Sequence, residues 1–161
     1  MKIAVIYHSE TGNTEMMAEL VRDGCEQVSG VEAQCMSIDE VDPTYVEEAQ
    51  AVIFGSPTYE GTCSWQMKKY LDTEPHGLAG KLAGVFVSQN WPGGGGGSFA
   101  EMSIIAGLLV HGMLIYSGGI SVGMPFLHFG AVSTKAPQDD FNRQRCIKLG
   151  NNIASKAVEL F

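Results

Sequence analysis

The chain is short of charge. Asp, Glu, Lys and Arg make up 17% of its 161 residues, and the balance is −8. That sign disfavours a nucleic-acid or anionic-membrane partner and is compatible with a basic one. Four cysteines (Cys25, Cys35, Cys63, Cys146) stand far apart without a Cys-x-x-Cys pair, which argues against a zinc cage or a thioredoxin-type motif. The histidines are scattered. The acidic pairs Asp39-Glu40, Glu47-Glu48 and Asp139-Asp140 fall at expected helix starts or solvent-facing faces, so no metal site is expected. No nucleophilic-hydrolase elbow is expected, and no Gly-x-Gly-x-x-Gly opens the first turn. No apolar stretch is long enough to cross a membrane. Met1-Lys2-Ile3 runs straight into the first strand, with no room for a signal peptide, so the expected location is cytoplasmic.

What is present begins with a placement. Lys2 to His8 reads as a buried strand, and Met17, Leu20, Val21, Gly24 and Val28 recur at helical spacing. Between them stand Ser9, Glu10, Thr11, Gly12, Asn13 and Thr14. A strand followed by hydroxyls, a glycine and a helix N-terminus makes an anion site: the first amides of the helix are unpaired and its dipole favours negative charge. The loop contains neither Lys nor Arg. A phosphate monoester held by neutral donors suits it better than a triphosphate with its metal.

Strand-like and helical runs then alternate. Strands are expected over 31–38, 51–56, 81–88 and 113–122, the last interrupted near Gly118-Gly119. Asp42-Pro43 carries N-cap and N1 chemistry for a short helix through Ala49. A helix is expected over Ser64–Leu71. Ser98 and Glu101 have capping-box spacing for another through Val110, a long loop spans Gly123–Pro137, and a final helix spans about Asp140–Leu160. This is the α/β pattern of one open parallel sheet wound on both faces, in a single domain over residues 1–161. The polar loops follow strands one, three and four. In the strand order 2-1-3-4-5 those strands are neighbours, so the loops converge at their carboxyl ends, where such sheets bind ligands.

Ser-x-Thr-Gly-Asn-Thr after the first strand resembles the FMN phosphate loop of flavodoxin-like proteins. Within that superfamily the chain is similar to the WrbA-type NAD(P)H:quinone oxidoreductases. The segments Ser56-Pro57-Thr58-Tyr59-Glu60-Gly61, Gln66–Asp72, His111-Gly112-Met113 and Phe129-Gly130-Ala131 carry the likeness. It implies the flavodoxin-like fold and one FMN. The phosphate would be held by Ser9, Thr11, Gly12, Asn13 and Thr14 with the Glu10 backbone. The ring would lie against Pro57, Thr58, Tyr59, Glu60 and Gly61 on one side, and Ser88, Gln89, Asn90, Trp91 and Gly94 on the other. In the family, a glycine at the position of Gly61 lets a peptide reorient as the flavin is protonated. Glu60 would disfavour the anionic reduced ring.

The resemblance implies an FMN oxidoreductase that takes hydride from NAD(P)H and reduces a quinone-like acceptor. The rival is a one-electron carrier that docks on larger redox proteins, and a flavin-free binding module is a third class. A homodimer or higher homo-oligomer is compatible with the family. Gly93–Gly97 either lie against the flavin's pyrimidine edge or form a mobile flap, and Trp91 is either a flavin contact or a surface aromatic. Cys63 and Cys25 read as packing residues, Asp39 as a helix cap, His8, His76 and His111 as structural. His128 is either a flavin or substrate neighbour or a bystander.

Overall fold

The computed structural model of the chain describes residues 1–73 and 77–161, so His76 lies outside the described residues. The elements in chain order are β1 (Lys2–Tyr7), α1 (Asn13–Glu26), β2 (Glu32–Ser37), α2 (Pro43–Glu48), β3 (Ala51–Tyr59), β4 (Thr62–Cys63), α3 (Trp65–Thr73), β5 (Leu82–Gln89), α4 (Gly97–Val110), β6 (Leu114–Ile115), β7 (Ala131–Thr134) and α5 (Asp140–Leu160). The sheet runs β2-β1-β3-β5-β6, with β7 also pairing β5 and the short β4 folding back antiparallel onto β3. All other strand pairings among the described residues are parallel. This is the expected order 2-1-3-4-5, with β5 as the fourth long strand and β6 and β7 as two halves of the fifth.

Strand alternation divides the core between the two faces. Ile3, Val5, Ile53 and Phe86 pack with Met17 and Val21 of α1 and with Leu149 and Ile153 of α5. Ala4, Ile6, Phe54 and Val85 pack with Val46 of α2, Met67 of α3, and Ile104 and Leu108 of α4. Each large side chain taken from water this way stabilises the fold by about 1.5–3 kcal/mol. On the first face α1 and α5 approach through glycines. A Cβ on Gly24 would stand 1.9 Å from the Ile147 carbonyl oxygen, and one on Gly150 would stand 1.9 Å from that of Val21. Cys25 Sγ donates to the Gly150 carbonyl at 3.4 Å across the same seam. Any larger residue at either glycine would push the helices apart.

Four local expectations are corrected. The fifth strand is not one run over 113–122: it breaks after Ile115, and its second half, β7, lies inside the segment read as a long loop. Tyr116 to Gly130 intervenes, so β6 meets β5 at Leu82–Ala83 and β7 meets it at Phe86–Gln89. Pro57, Thr58 and Tyr59 belong to β3 rather than to a loop, because Pro57 sits opposite Ser88 in the ladder and β4 pairs with Thr58 and Tyr59. Asp39 caps none of the helices among the described residues. Asp42 caps α2 instead, accepting from the amides of Thr44 at 2.9 Å and Tyr45 at 3.2 Å.

The fourth correction concerns Ser98 and Glu101, which form no capping box. Helix α4 starts at Gly97, with Gly96 at the N-cap in the left-handed conformation and no side-chain cap. Glu101 turns inward, 2% exposed, and its Oε1 has no hydrogen-bond partner. Its carboxyl lies beside Gly130, where a Cβ would meet Glu101 Oε1 at 2.9 Å, close to the break in the fifth strand.

Burial raises the Glu101 carboxyl from the ordinary 4.5 to about 8, against a weaker opposing pull from the Arg145 guanidinium. The folded chain therefore keeps a proton that the unfolded chain releases. The sign follows: stability falls as pH rises from the unfolded value toward 8, then levels off. Glu101→Gln is expected to flatten this dependence and to stabilise the protein at pH 8 by about 1–3 kcal/mol. Denaturant unfolding of both proteins across pH 5–9 checks it; parallel profiles would contradict it.

Candidate functional site

The carboxyl ends of β1, β3 and β5 are adjacent in the sheet, and the loops that leave them meet. The first is set by Gly12, whose φ of 82° places the turn before α1 in the left-handed region that a Cβ disfavours. No side chain caps α1. Among the described residues, the amides of Asn13, Thr14 and Glu15 have no carbonyl partner, as expected for a first helical turn. Thr14 is buried, and its Oγ1 lies 2.9 Å from Ser88 Oγ at the end of β5. Ser9 is half-buried, Thr11 is exposed, and Asn13 Nδ2 donates to Thr11 Oγ1 at 3.2 Å.

Glu10 ties this loop to the next. Its Oε1 accepts from Gln66 Nε2 of α3 at 2.8 Å and stands 3.8 Å from His8 Nε2. Partial burial raises the Tyr59 phenol, and the Glu10 charge and hydrogen bond add to it. His8 is buried, and desolvation lowers its imidazole below the ordinary value although Glu10 and Asp39 pull the other way.

The second loop is a tight hairpin from β3 to β4. Its central residues both have positive φ, 47° at Glu60 and 83° at Gly61, the pattern of a type I′ turn. Glycine adopts this freely, whereas Glu60 does so at a cost of roughly 1–2 kcal/mol. Ser56 Oγ closes the hairpin base by accepting from the Ser64 amide at 2.9 Å, and Ser103 Oγ of α4 braces it by accepting from the Cys63 amide at 3.1 Å. Thr58 Oγ1 is buried with no partner.

The third segment follows β5. Gln89 Oε1 accepts from the Gly97 amide at 2.9 Å, and the Gln89 carbonyl accepts from the Lys135 amide at 2.7 Å. Asn90 and Trp91 are exposed, Trp91 at 74%. The glycines differ among themselves. Gly96 has φ 79°, and a Cβ there would come within 2.9 Å of Gly61 Cα, so the second and third loops touch at this point. Gly94 has open space around it.

The structure thus brings together all three loops named from the sequence. It leaves His128 outside them: this residue lines a groove with Met102 and Phe129 instead. His111 Nε2 is engaged by the Leu71 carbonyl at 2.8 Å, and Cys63 and Cys25 are buried packing residues. Gln66 and Lys135 are additions that the sequence reading missed as site neighbours. Gln66 lay within the family-like segment after the second loop, while nothing local marked Lys135. Gly-x-Ser-x-Gly spacing does occur, at Gly119–Gly123. It lies in the connection between β6 and β7 rather than on a strand-to-helix elbow, with Ser121 Oγ donating to the Gly118 carbonyl at 2.8 Å. No group of three or more His, Cys, Asp or Glu able to hold a metal occurs among the described residues. No helix of the described residues is long and apolar enough to cross a membrane.

The flavodoxin family model matches residues 5–103, which contain all three loops. The chain belongs to the flavodoxin family. Among its relatives, a flavodoxin of Clostridium saccharobutylicum is 38% identical over 162 aligned positions covering 100% of both chains. An NAD(P)H dehydrogenase (quinone) of Archaeoglobus fulgidus is 33% identical over 197 positions covering 99% of this chain and 98% of its own. A WrbA-like flavodoxin from Agrobacterium tumefaciens superposes with a TM-score of 0.75 at 26% identity, covering 98% of each chain. FMN is the cofactor of this family, and the site suits it. Unpaired amides at the start of α1, with the hydroxyls of Ser9, Thr11 and Thr14 in the same turn, suit its phosphate, and the Thr58 hydroxyl is a buried polar atom without a partner at the next loop.

The contact between Gly96 and Gly61 generates a paired prediction. Gly96→Ala is expected to separate the second and third loops and weaken FMN binding about fivefold to tenfold, equivalent to roughly 1 kcal/mol of strain. Gly107→Ala, on α4 away from the three loops, where a Cβ would meet nothing nearer than Leu71 Cδ1 at 3.7 Å, is expected to bind FMN as the parent does. Fluorescence titration of the apoproteins with FMN distinguishes the two; equal affinities would show that the contact does not shape the site.

Proposed function

We propose that the chain is a one-electron carrier of the flavodoxin type. Ser9, Thr11, Gly12, Asn13 and Thr14, with the Glu10 backbone, hold the FMN phosphate. Pro57 to Gly61 and Ser88 to Trp91, together with Gly94, flank the ring. FMN, when bound, supplies the redox chemistry in one- or two-electron steps. The observation that carries the reading is the Glu60-Gly61 turn, whose two positive φ values mark a strained site poised to rearrange. A peptide followed by glycine can rotate with little steric resistance, presenting either its carbonyl or its amide to the ring edge. Glu60 and the net charge of −8 oppose further negative charge at the site and so favour a low potential. The same charge suits docking to a basic surface on a redox partner. Collinearity with the clostridial flavodoxin, 162 aligned positions against 161 residues, supports this over a chain with inserted catalytic segments.

A second reading, an NAD(P)H-dependent FMN oxidoreductase, is favoured by the Archaeoglobus relative and by a groove of about 540 Å³ between α2 and α3. Ile38, Val41, Trp65, Gln66 and Lys69 line it, and Gln66 connects it to the first loop through Glu10. Its size falls within the range of small-molecule sites.

The expected outcome for a carrier is a yellow protein inert to NADH and NADPH, whose reductive titration resolves two midpoint potentials. Gly61→Ala should bring those potentials closer together. Rapid anaerobic oxidation of either nucleotide with quinone turnover would establish the second reading instead, and a protein that takes up no FMN would overturn both.

A further inference from the structure

Glu10 is an acid in a turn suited to an anion. It is the only charged residue of Ser9–Thr14, and no Lys or Arg stands there to balance it. Two residues further on, Gly12 opens α1 with no side-chain cap, so the first-turn amides stand open to any oxyanion within reach. A helix N-terminus attracts carboxylates as well as phosphates. The chain therefore carries, inside its phosphate turn, a competitor for the same amides. The Glu10 side chain does not take them. Its Oε1 accepts from Gln66 Nε2 of α3 at 2.8 Å, and the Tyr59 phenol hydrogen-bonds the same side chain from the hairpin. Among the described residues no Lys or Arg pairs with Glu10. His8, buried 3.8 Å away, is held below its ordinary basicity by desolvation. Neutral hydrogen bonds, rather than a counter-ion, decide where this carboxylate lies.

Gln66 is firmly placed to hold it. Its neighbour Met67 is fully buried in the core, and Ser64 Oγ accepts from the Met67 amide at 3.2 Å, which anchors the first turn of α3. A carboxylate only accepts, so the Gln66 amide nitrogen faces Glu10 and its oxygen faces away. That oxygen is buried without a partner. An unpaired buried oxygen is costly. Turning the amide over would set two acceptors against each other, so the group stays in the orientation that holds Glu10. We infer that Gln66 is a positioning residue for cofactor binding: it draws the Glu10 carboxylate away from the first turn of α1 and so keeps that turn open to the FMN phosphate. The inference rests on the reading that Ser9–Thr14 hold the phosphate. Gln66 acts through Glu10 rather than by contact with FMN.

Full-length apoproteins titrated with FMN and with riboflavin, which has the same ring system and no phosphate, test this. The parent is expected to bind FMN more tightly than riboflavin. Gln66→Leu removes the donor while keeping bulk at a half-buried position. It should weaken FMN binding about fivefold to tenfold, the scale of one capping interaction, and leave riboflavin binding unchanged, because the freed carboxylate competes only with a phosphate. Adding Glu10→Gln to that variant removes the competing charge and should restore tight FMN binding. Unchanged FMN affinity in Gln66→Leu would overturn the inference, as would a loss that Glu10→Gln does not reverse. Equal losses for FMN and riboflavin would also overturn it, since they would mark Gln66 as a purely structural residue. A parent that does not distinguish FMN from riboflavin would overturn the reading of the phosphate turn, and the inference with it.

Discussion

Helix α1 can serve the site only because α5 holds it in place. Gly24 and Gly150 remove the two side chains that would separate these helices, so each backbone lies against the other. The seam fixes the height of α1 above β1 and β3, and with it the position of its first turn at the sheet's carboxyl edge. The hydrogen bond between Thr14 and Ser88 follows from that height, since these residues come from elements 74 positions apart. A local turn with unpaired amides becomes a site because a distant helix contact aims it.

Around that fixed point the loops brace one another. Glu10 reaches Gln66, Ser103 holds the Cys63 amide, and Gly96 closes on Gly61. Among the polar groups left without partners, the first-turn amides of α1 and the Thr58 hydroxyl lie at this frame, whereas Glu101 Oε1 lies away from it beside Gly130. A buried polar atom without a partner is costly, and the Thr58 hydroxyl stands as one where the loops meet. Helix α4 takes part through its first turns: Gly96 at its N-cap abuts the hairpin, and its Ser103 holds the Cys63 amide.

Much of this was legible from residue patterns. The apolar run at Lys2–His8 and the helical spacing after Asn13 identified β1, α1 and the turn between them, because burial on a strand and on a helix leaves different periods. Asp42-Pro43 marked the start of α2 through local capping chemistry. The failures share a cause. Ser98 and Glu101 have capping-box spacing, yet tertiary packing draws Glu101 into the core and leaves Gly96 to start the helix. The fifth strand is broken because β5 pairs with two separate segments, and no local pattern in Tyr116–Gly130 announces that. Pro57 reads as a turn residue, but beside Ser88 it fits at the end of a ladder.

By itself the sequence determined the parallel α/β order, the three polar loops and their family, since these depend on local periodicity and on residue types at short spacing. Only the tertiary structure decided the I′ geometry of Glu60-Gly61, the contact between the hairpin and the glycine loop, and the inward turn of Glu101. These depend on what chain segments far apart in sequence present to one another. The phosphate turn belongs to both: its composition names an anion site, and the packing of α1 on α5 places it where the other two loops can complete it.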